Sequence, residues 1–241
     1  MKKQLLSGLI ILLFIGEICA QRGRRGLVDN SGMSYNYLTL NLGPAYCFAD
    51  TKAYPLTQSI LSNWDLSLGY RKSYSNNLGF KIAMDYSNFT GTDEGTISKR
   101  GYSFTSNVLQ ISGQAEYSIL IGKLSPNSIY AFIGAGILKS NAKLTYDITK
   151  VDISKARYLY QTVTIAPVIP FGAGYQYDFD NGFLIGAEMT WRLPISDTID
   201  GFSPPSSNSK SNDVIIGFSL TMSYLLDSEN LNRRMSRSLR R

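Results

Sequence analysis

The 241-residue chain contains no histidine. That removes the usual general base near neutral pH, and with it Ser-His triads and imidazole metal sites. Only Cys19 and Cys47 carry thiols, and Cys19 lies in an N-terminal segment expected to be removed. Cys47 is then left alone, so no intrachain disulfide is expected. Charged residues make up 17% of the chain, below the ~25% of an ordinary soluble domain. No apolar run reaches the ~20 residues a spanning helix needs. A histidine-dependent enzyme, a disulfide scaffold and a helical membrane protein are all disfavoured. Tyrosine, by contrast, is plentiful, at 16 residues.

Lys2 and Lys3 precede LLSGLIILLFIG, and Ile18-Cys19-Ala20 precede Gln21. A charged start, a short apolar stretch and a small residue at the scissile position spell a secretory signal peptide. Glu17 spoils a lipobox reading of Cys19, so cleavage is expected after Ala20. The expected organisation is residues 1–20 signal peptide, 21–34 N-terminal periplasmic segment, 35–226 barrel and 227–241 basic periplasmic tail.

Most of the remaining chain alternates polar with apolar, between turn signals. In Val108–Ile119, Gln110, Ser112, Gln114, Glu116 and Ser118 share one parity, while Leu109, Ile111, Ala115, Tyr117 and Ile119 share the other. A period of two is the mark of a strand. Eight such stretches are expected, at Tyr35–Phe48, Asn63–Ser73, Leu78–Asn88, Ser106–Ile121, Ile129–Leu138, Thr164–Tyr177, Phe183–Leu193 and Asp213–Leu226. The fifth is apolar on both parities, and its glycines suit close packing of bulky neighbours inside.

Connection lengths alternate too. Ser75-Asn76-Asn77, Gly122–Ser128 and Asp180-Asn181-Gly182 are short, and the two asparagine-rich ones read as hairpin turns. Ala49–Ser62, Phe89–Thr105, Lys139–Val163 and Pro194–Asn212 are long and polar. Strands of ten or more residues, short turns on one side and long loops on the other predict an all-β, eight-stranded antiparallel up-and-down transmembrane barrel. The short turns and both termini are expected in the periplasm, the long loops outside the cell. A soluble lipocalin-like barrel is the structural alternative, but it would not need Tyr and Trp at strand ends.

The formal charge is +6 and the isoelectric point about 9.2. That excess sits in Arg22, Arg24 and Arg25 and in the arginines after Leu226. Between Gly26 and Leu226 the chain has 14 basic and 15 acidic residues. It is not a basic domain, and no nucleic-acid partner is expected. Within the barrel, Asp65, Arg71, Lys81, Asp85, Glu116, Glu188 and Arg192 fall on the inward parity. An eight-stranded barrel is just wide enough for side chains to fill, so these charges are expected to pair rather than line a conducting channel. Asp85 with Glu116, or Glu116 with Glu188, could in principle form a carboxylate pair for acid–base work. Ion pairing beside Lys81 and Arg192 is the simpler reading. No catalytic residue, metal site, cofactor or small-molecule substrate is expected; outer-membrane lipid is. In the tail, Leu231, Met235 and Leu239 recur every four residues among Arg233, Arg234, Arg237, Arg240 and Arg241. That is a short basic amphipathic pattern suited to docking on a partner or on anionic headgroups, though a stretch this short is equally consistent with a solvated tail.

Three stretches resemble a family of small Bacteroidetes outer-membrane barrels that includes the PorG component of the type IX secretion system. They are LSLGYRKSYSNNLGFKIAMDYSNFTGTDE (residues 66–94), RGYSFTSNVLQISGQAEYSI (100–119) and IPFGAGYQYDFDNGFLIGAEMTWRLPISDTIDG (169–201). In the last, Pro170-Phe171-Gly172, Glu188, Arg192, Asp197 and Asp200 match the family pattern. The first strand and loop, LNLGPAYCFADTKAY, lack its Gly-Asp. The resemblance implies a non-enzymatic component of a protein export machine. Such a barrel would anchor a periplasmic ring of secretion-system proteins, a lipoprotein among them, to the outer membrane through the short turns and the tail. A general OmpA-like structural or adhesive barrel, acting through its surface loops, is the second reading. A lipid-modifying barrel enzyme is the third, and the lack of histidine counts against it.

Overall fold

The computed structural model describes residues 35–48, 63–74, 77–92, 102–120, 126–146, 162–179, 182–196, 199 and 213–226. The expected tail positions from Leu231 to Arg241 lie outside them. Eight strands run in chain order: β1 (Tyr35–Phe48), β2 (Trp64–Ser73), β3 (Leu78–Thr92), β4 (Tyr102–Leu120), β5 (Asn127–Tyr146), β6 (Thr162–Asp178), β7 (Phe183–Pro194) and β8 (Val214–Leu225). Each pairs antiparallel with its sequence neighbour, and β1 pairs with β8 to close the barrel. Closure removes every free sheet edge, which a sheet surrounded by lipid cannot leave unpaired.

The short connections gather at one end. Tyr74 N–H donates to the Leu78 carbonyl, Phe179 N–H to that of Phe183, and Leu225 N–H to that of Gly182. Asn77 (φ 63°) and Gly182 (φ 90°) take the left-handed backbone their turns require, a conformation that Asn and Gly adopt at least cost. Leu226 N–H donates to the Asn36 carbonyl, so the first and last strands meet at this same end.

The strands are longer than expected at the opposite end. β4 starts at Tyr102 and β5 runs to Tyr146, and Tyr102 pairs with Tyr146. The expected β5–β6 loop from Lys139 therefore begins eight residues later. Periodicity explains the difference: Lys139, Asn141 and Lys143 face outward and exposed while Leu138, Ser140 and Ala142 stay buried. Polar outward residues look like a loop, but here the alternation simply continues past the apolar belt. β3 likewise extends to Thr92, paired with Ser103.

Candidate functional site

The expected inward charges are all buried inside the barrel and form two clusters. In the first, Arg192 grips Asp65 with both terminal nitrogens, at 3.0 and 2.5 Å. Ser87 Oγ donates to Asp65 at 2.5 Å, and Arg192 also donates to Ser87 Oγ at 2.9 Å. Asp85 lies 3.9 Å from Arg192 and accepts from Gln110 Nε2 at 3.0 Å. A bidentate guanidinium–carboxylate fork of this kind fixes orientation as well as charge.

The second cluster centres on Glu188. Lys81 Nζ is 3.3 Å from its Oε2, and the Tyr130 hydroxyl donates to the same oxygen at 2.7 Å. Its Oε1 accepts from Asn41 at 3.1 Å and from Thr190 at 3.2 Å. Lys81 is also 4.0 Å from Glu116, which pairs closely with Arg71. Arg71 donates to Gln176 Oε1 at 2.7 Å and stacks over the Tyr130 ring, while Lys81 sits over Phe132. The two suggested carboxylate pairs thus resolve differently. Glu116 and Glu188 share Lys81, while Asp85 belongs to the Arg192 cluster. Every one of these carboxylates is engaged by a cation or a donor, which is how buried charges become tolerable. Between the clusters, next to Lys81, Asp85, Gln114 and Arg192, the free space is only about 10 Å³, enough for about one water.

Sequence reasoning missed the aromatic half of this filling. Tyr130 and Phe132 lie inside the barrel because β5 alternates Ser128, Tyr130, Phe132 inward against Ile129, Ala131, Ile133 outward. Both faces are apolar, so the sequence carries no polar signal to choose between them. Nor do the rings pack on β5's own glycines. A Cβ at Gly174 of β6 would collide with the Tyr130 ring, and one at Gly172 with Phe132. The signal available was the run of inward glycines in PFGAGYQ, an unfilled stripe facing an overfilled one.

The inward parity carries its charged pairs in the middle. Towards the long-loop end it becomes mostly apolar: Ala45, Cys47, Phe89, Phe104, Val108, Leu138, Val168 and Ile215 form one buried cluster. Ile199, from the β7–β8 connection, is inserted among them and has no exposed surface. Its peptide is tied on both sides, by Ser106 Oγ donating to its carbonyl at 2.7 Å and its N–H donating to Asp213 Oδ2 at 2.9 Å. At the short-turn end Tyr35, Tyr37, Leu184 and Leu225 form a second buried apolar layer. The charged layer thus lies between two clusters of buried apolar side chains, with buried Ser106, Ser140 and Asp213 beside the one and buried Asp178 beside the other.

The outer surface inverts this pattern. Leu40, Leu68, Ile82, Met84, Ile111, Ile133, Ile185 and Leu220 are exposed, Leu220 to 70%. Ring pairs flank this belt, Trp64–Tyr86 and Phe171–Trp191 towards the loops, Phe183–Tyr224 and Tyr177–Phe179 towards the turns. An apolar band between aromatic girdles is a surface built for hydrocarbon with interfaces on either side; water would penalise so large a patch.

Comparison with known proteins agrees with this wall. The family model described as a domain of unknown function (DUF6089) matches residues 3–225. No curated protein matches the chain. Among solved structures, a major outer membrane protein from Thermus thermophilus aligns with TM-score 0.51 and 10% identity, over 80% of this chain and 100% of that one. Neisserial surface protein A aligns with TM-score 0.47 and 12% identity, over 80% of this chain and 98% of that one. Ail of Yersinia pestis, solved with the heparin analogue sucrose octasulfate, aligns with TM-score 0.46 and 14% identity, over 80% and 99%. At these identities the likeness is one of fold: the eight-stranded closed barrel of outer-membrane proteins.

Proposed function

The chain belongs to the DUF6089 family, and for it we propose a non-enzymatic anchoring role in the outer membrane, as a component of the type IX protein secretion system. The observation that carries the anchoring part is the closed interior. Two ion-pair clusters fill the middle, apolar layers cap both ends, and the free space between the clusters is about 10 Å³. Among the described residues this filling leaves little room for a passage, so the surfaces offered to partners are the rims and the lipid-facing wall. The short turns and the ends of β1 and β8 share one rim. In the periplasm that rim, with the arginine-rich segment after Leu226, would hold a ring of periplasmic partners that includes a lipoprotein. The secretion-system assignment draws its support from the resemblance of residues 66–94, 100–119 and 169–201.

The test is to remove residues 227–241 and follow cargo secretion and co-purification from gently solubilised outer membranes. The expected result is a barrel that still inserts, loses its periplasmic partners and fails to support secretion. Normal secretion with no partner recovered from either form would overturn the reading. A general structural or adhesive barrel is the second reading. It is favoured by one feature, the β4–β5 hairpin, which carries Lys139 and Lys143 exposed on its outer face towards the long-loop end.

A further inference from the structure

We infer that the outer wall carries a seat for one acyl chain of a phospholipid from the leaflet at the short-turn end. The belt is not uniformly convex. A groove of about 790 Å³ runs across β5 to β8 and onto β1. Its floor is made of small outward residues, Ala173 on β6 and Ala187 on β7; Tyr175, Met189, Phe218 and Leu42 form its walls. Both alanines are exposed, so the protein leaves the floor uncovered.

The groove follows the tilt of the sheet. Its lower end, at Ile129, is two residues into β5; its upper end, at Pro44, is nine residues into β1. With ~3.3 Å per residue and a tilt near ~40°, those positions lie roughly 5 and 23 Å above the short-turn rim. A hydrocarbon core of ~30 Å has its midplane near ~15 Å, so the groove opens within the leaflet at the short-turn end, and more than half of its height lies in that leaflet. At the lower mouth the Tyr175 hydroxyl donates to Asn127 Oδ1, at the first residue of β5. Tyr177 and Phe179 pair their rings at the same rim. This is the depth at which an amphipathic ring meets headgroups. The occupant is argued from position: the groove is continuous with the lipid-facing belt, apolar along its length, and opens at the interface from which a lipid chain descends.

The upper end coincides with an interruption in the wall. The β1–β8 ladder runs from Tyr37↔Leu225 to Leu42↔Leu220 and resumes at Ala45↔Gly217, skipping Gly43 and Pro44. Pro44 has no N–H to give. Pro44 and Phe218 both line the groove at that point. A seated chain would cover the seam where first and last strands join, the pairing that closes the barrel.

The test uses the full-length barrel in vesicles of palmitoyl-oleoyl phosphatidylethanolamine and phosphatidylglycerol, extracted gently and analysed by native mass spectrometry. The expected result is one phospholipid retained per barrel, lost when Ala173→Leu and Ala187→Leu fill the floor together. Ala115→Leu, outward on β4 and away from the groove, controls for added bulk and should keep the lipid. Heat-modifiable gel mobility reports that each variant is folded; if the double variant fails to fold, A187L alone is read instead. A wild-type barrel that retains no lipid overturns the inference, as does one whose lipid survives the filled floor. A second copy of the barrel retained in place of a lipid, and lost when the floor is filled, would also overturn it, by giving the groove a different occupant.

Discussion

The middle of the barrel and its long-loop mouth are lined by the same inward parity, yet they solve the problem of filling a narrow cylinder in opposite ways. In the middle, Asp65, Asp85, Glu116 and Glu188 meet Arg71, Lys81 and Arg192 in a web of short contacts. At the mouth, Ile199 sits in a ring of apolar side chains with only its peptide hydrogen-bonded. The contrast has a physical reason. Charges in the middle are held by partners from across the barrel, such as Arg192 with Asp65 or Lys81 with Glu188, and so tie distant strands together. At the mouth Ile199 fills the space between the strands, and apolar burial does that without demanding exact partners. One layer specifies, the other seals.

If that division is right, damage to one layer should leave the other intact. The largest effect is expected from Glu188→Ala. It leaves the Tyr130 hydroxyl, Asn41 and Thr190 without this acceptor and Lys81 with only the more distant Glu116 at 4.0 Å. Removing one partner from a buried ionic network costs about 3–5 kcal/mol. A urea titration followed by Trp64 and Trp191 fluorescence should show that loss, while Glu188→Gln, which keeps the shape and one acceptor oxygen, should lose less. Equal stability of E188A and wild type would mean the network does not hold the middle together. Next comes Ile199→Ala, with an expected loss of about 2–4 kcal/mol for a truncated buried isoleucine. Its signature is local: Cys47, buried in the same cluster, should react faster with a charged maleimide. Planar-bilayer conductance should stay at background, because the ion-pair layer remains closed.

How much of this was legible in the sequence depends on the same contrast. Period-two alternation is set by strand geometry, so the eight strands and their outward faces could be read directly. The inward charges could be read too, since a charge on the polar parity of a lipid-facing strand has only one place to go. Three things were hidden. The reach of β4 and β5 beyond Ser106 and Leu138 was masked by polar outward residues that resemble a loop. The inward placement of Tyr130 and Phe132 was masked by a strand apolar on both faces. Ile199 was masked because insertion of a loop residue leaves no periodic trace. The second point can be sharpened by Gly174→Ala. Its new Cβ would meet the Tyr130 hydroxyl at 2.5 Å and push it off Glu188. Overpacking of this kind costs about 1–3 kcal/mol, so G174A should fall between I199A and the smallest change below. A neutral G174A would show that the Tyr130 ring has room to move.

The smallest expected effect is also the most pointed test of the mouth. Ser106 Oγ donates to the carbonyl of Ile199, and Asp213 accepts its N–H. Ser106→Ala leaves the isoleucine side chain and its apolar ring untouched and removes one hydrogen bond, worth about 1 kcal/mol net. If sealing depends on apolar burial alone, S106A should label at Cys47 like wild type. If the latch matters, labelling should rise by about 5-fold, the factor that ~1 kcal/mol gives to a local opening equilibrium. The rise should still fall short of that in I199A. Combining S106A with Asp213→Ala distinguishes a shared latch from two separate supports. Both residues hold the same peptide, so once one tether is gone the other should matter less, and the double variant should open less than the two singles added together. Strict additivity would mean that Asp213 acts on the start of β8 rather than on Ile199, and that the mouth is held by packing with Ser106 as a minor trim.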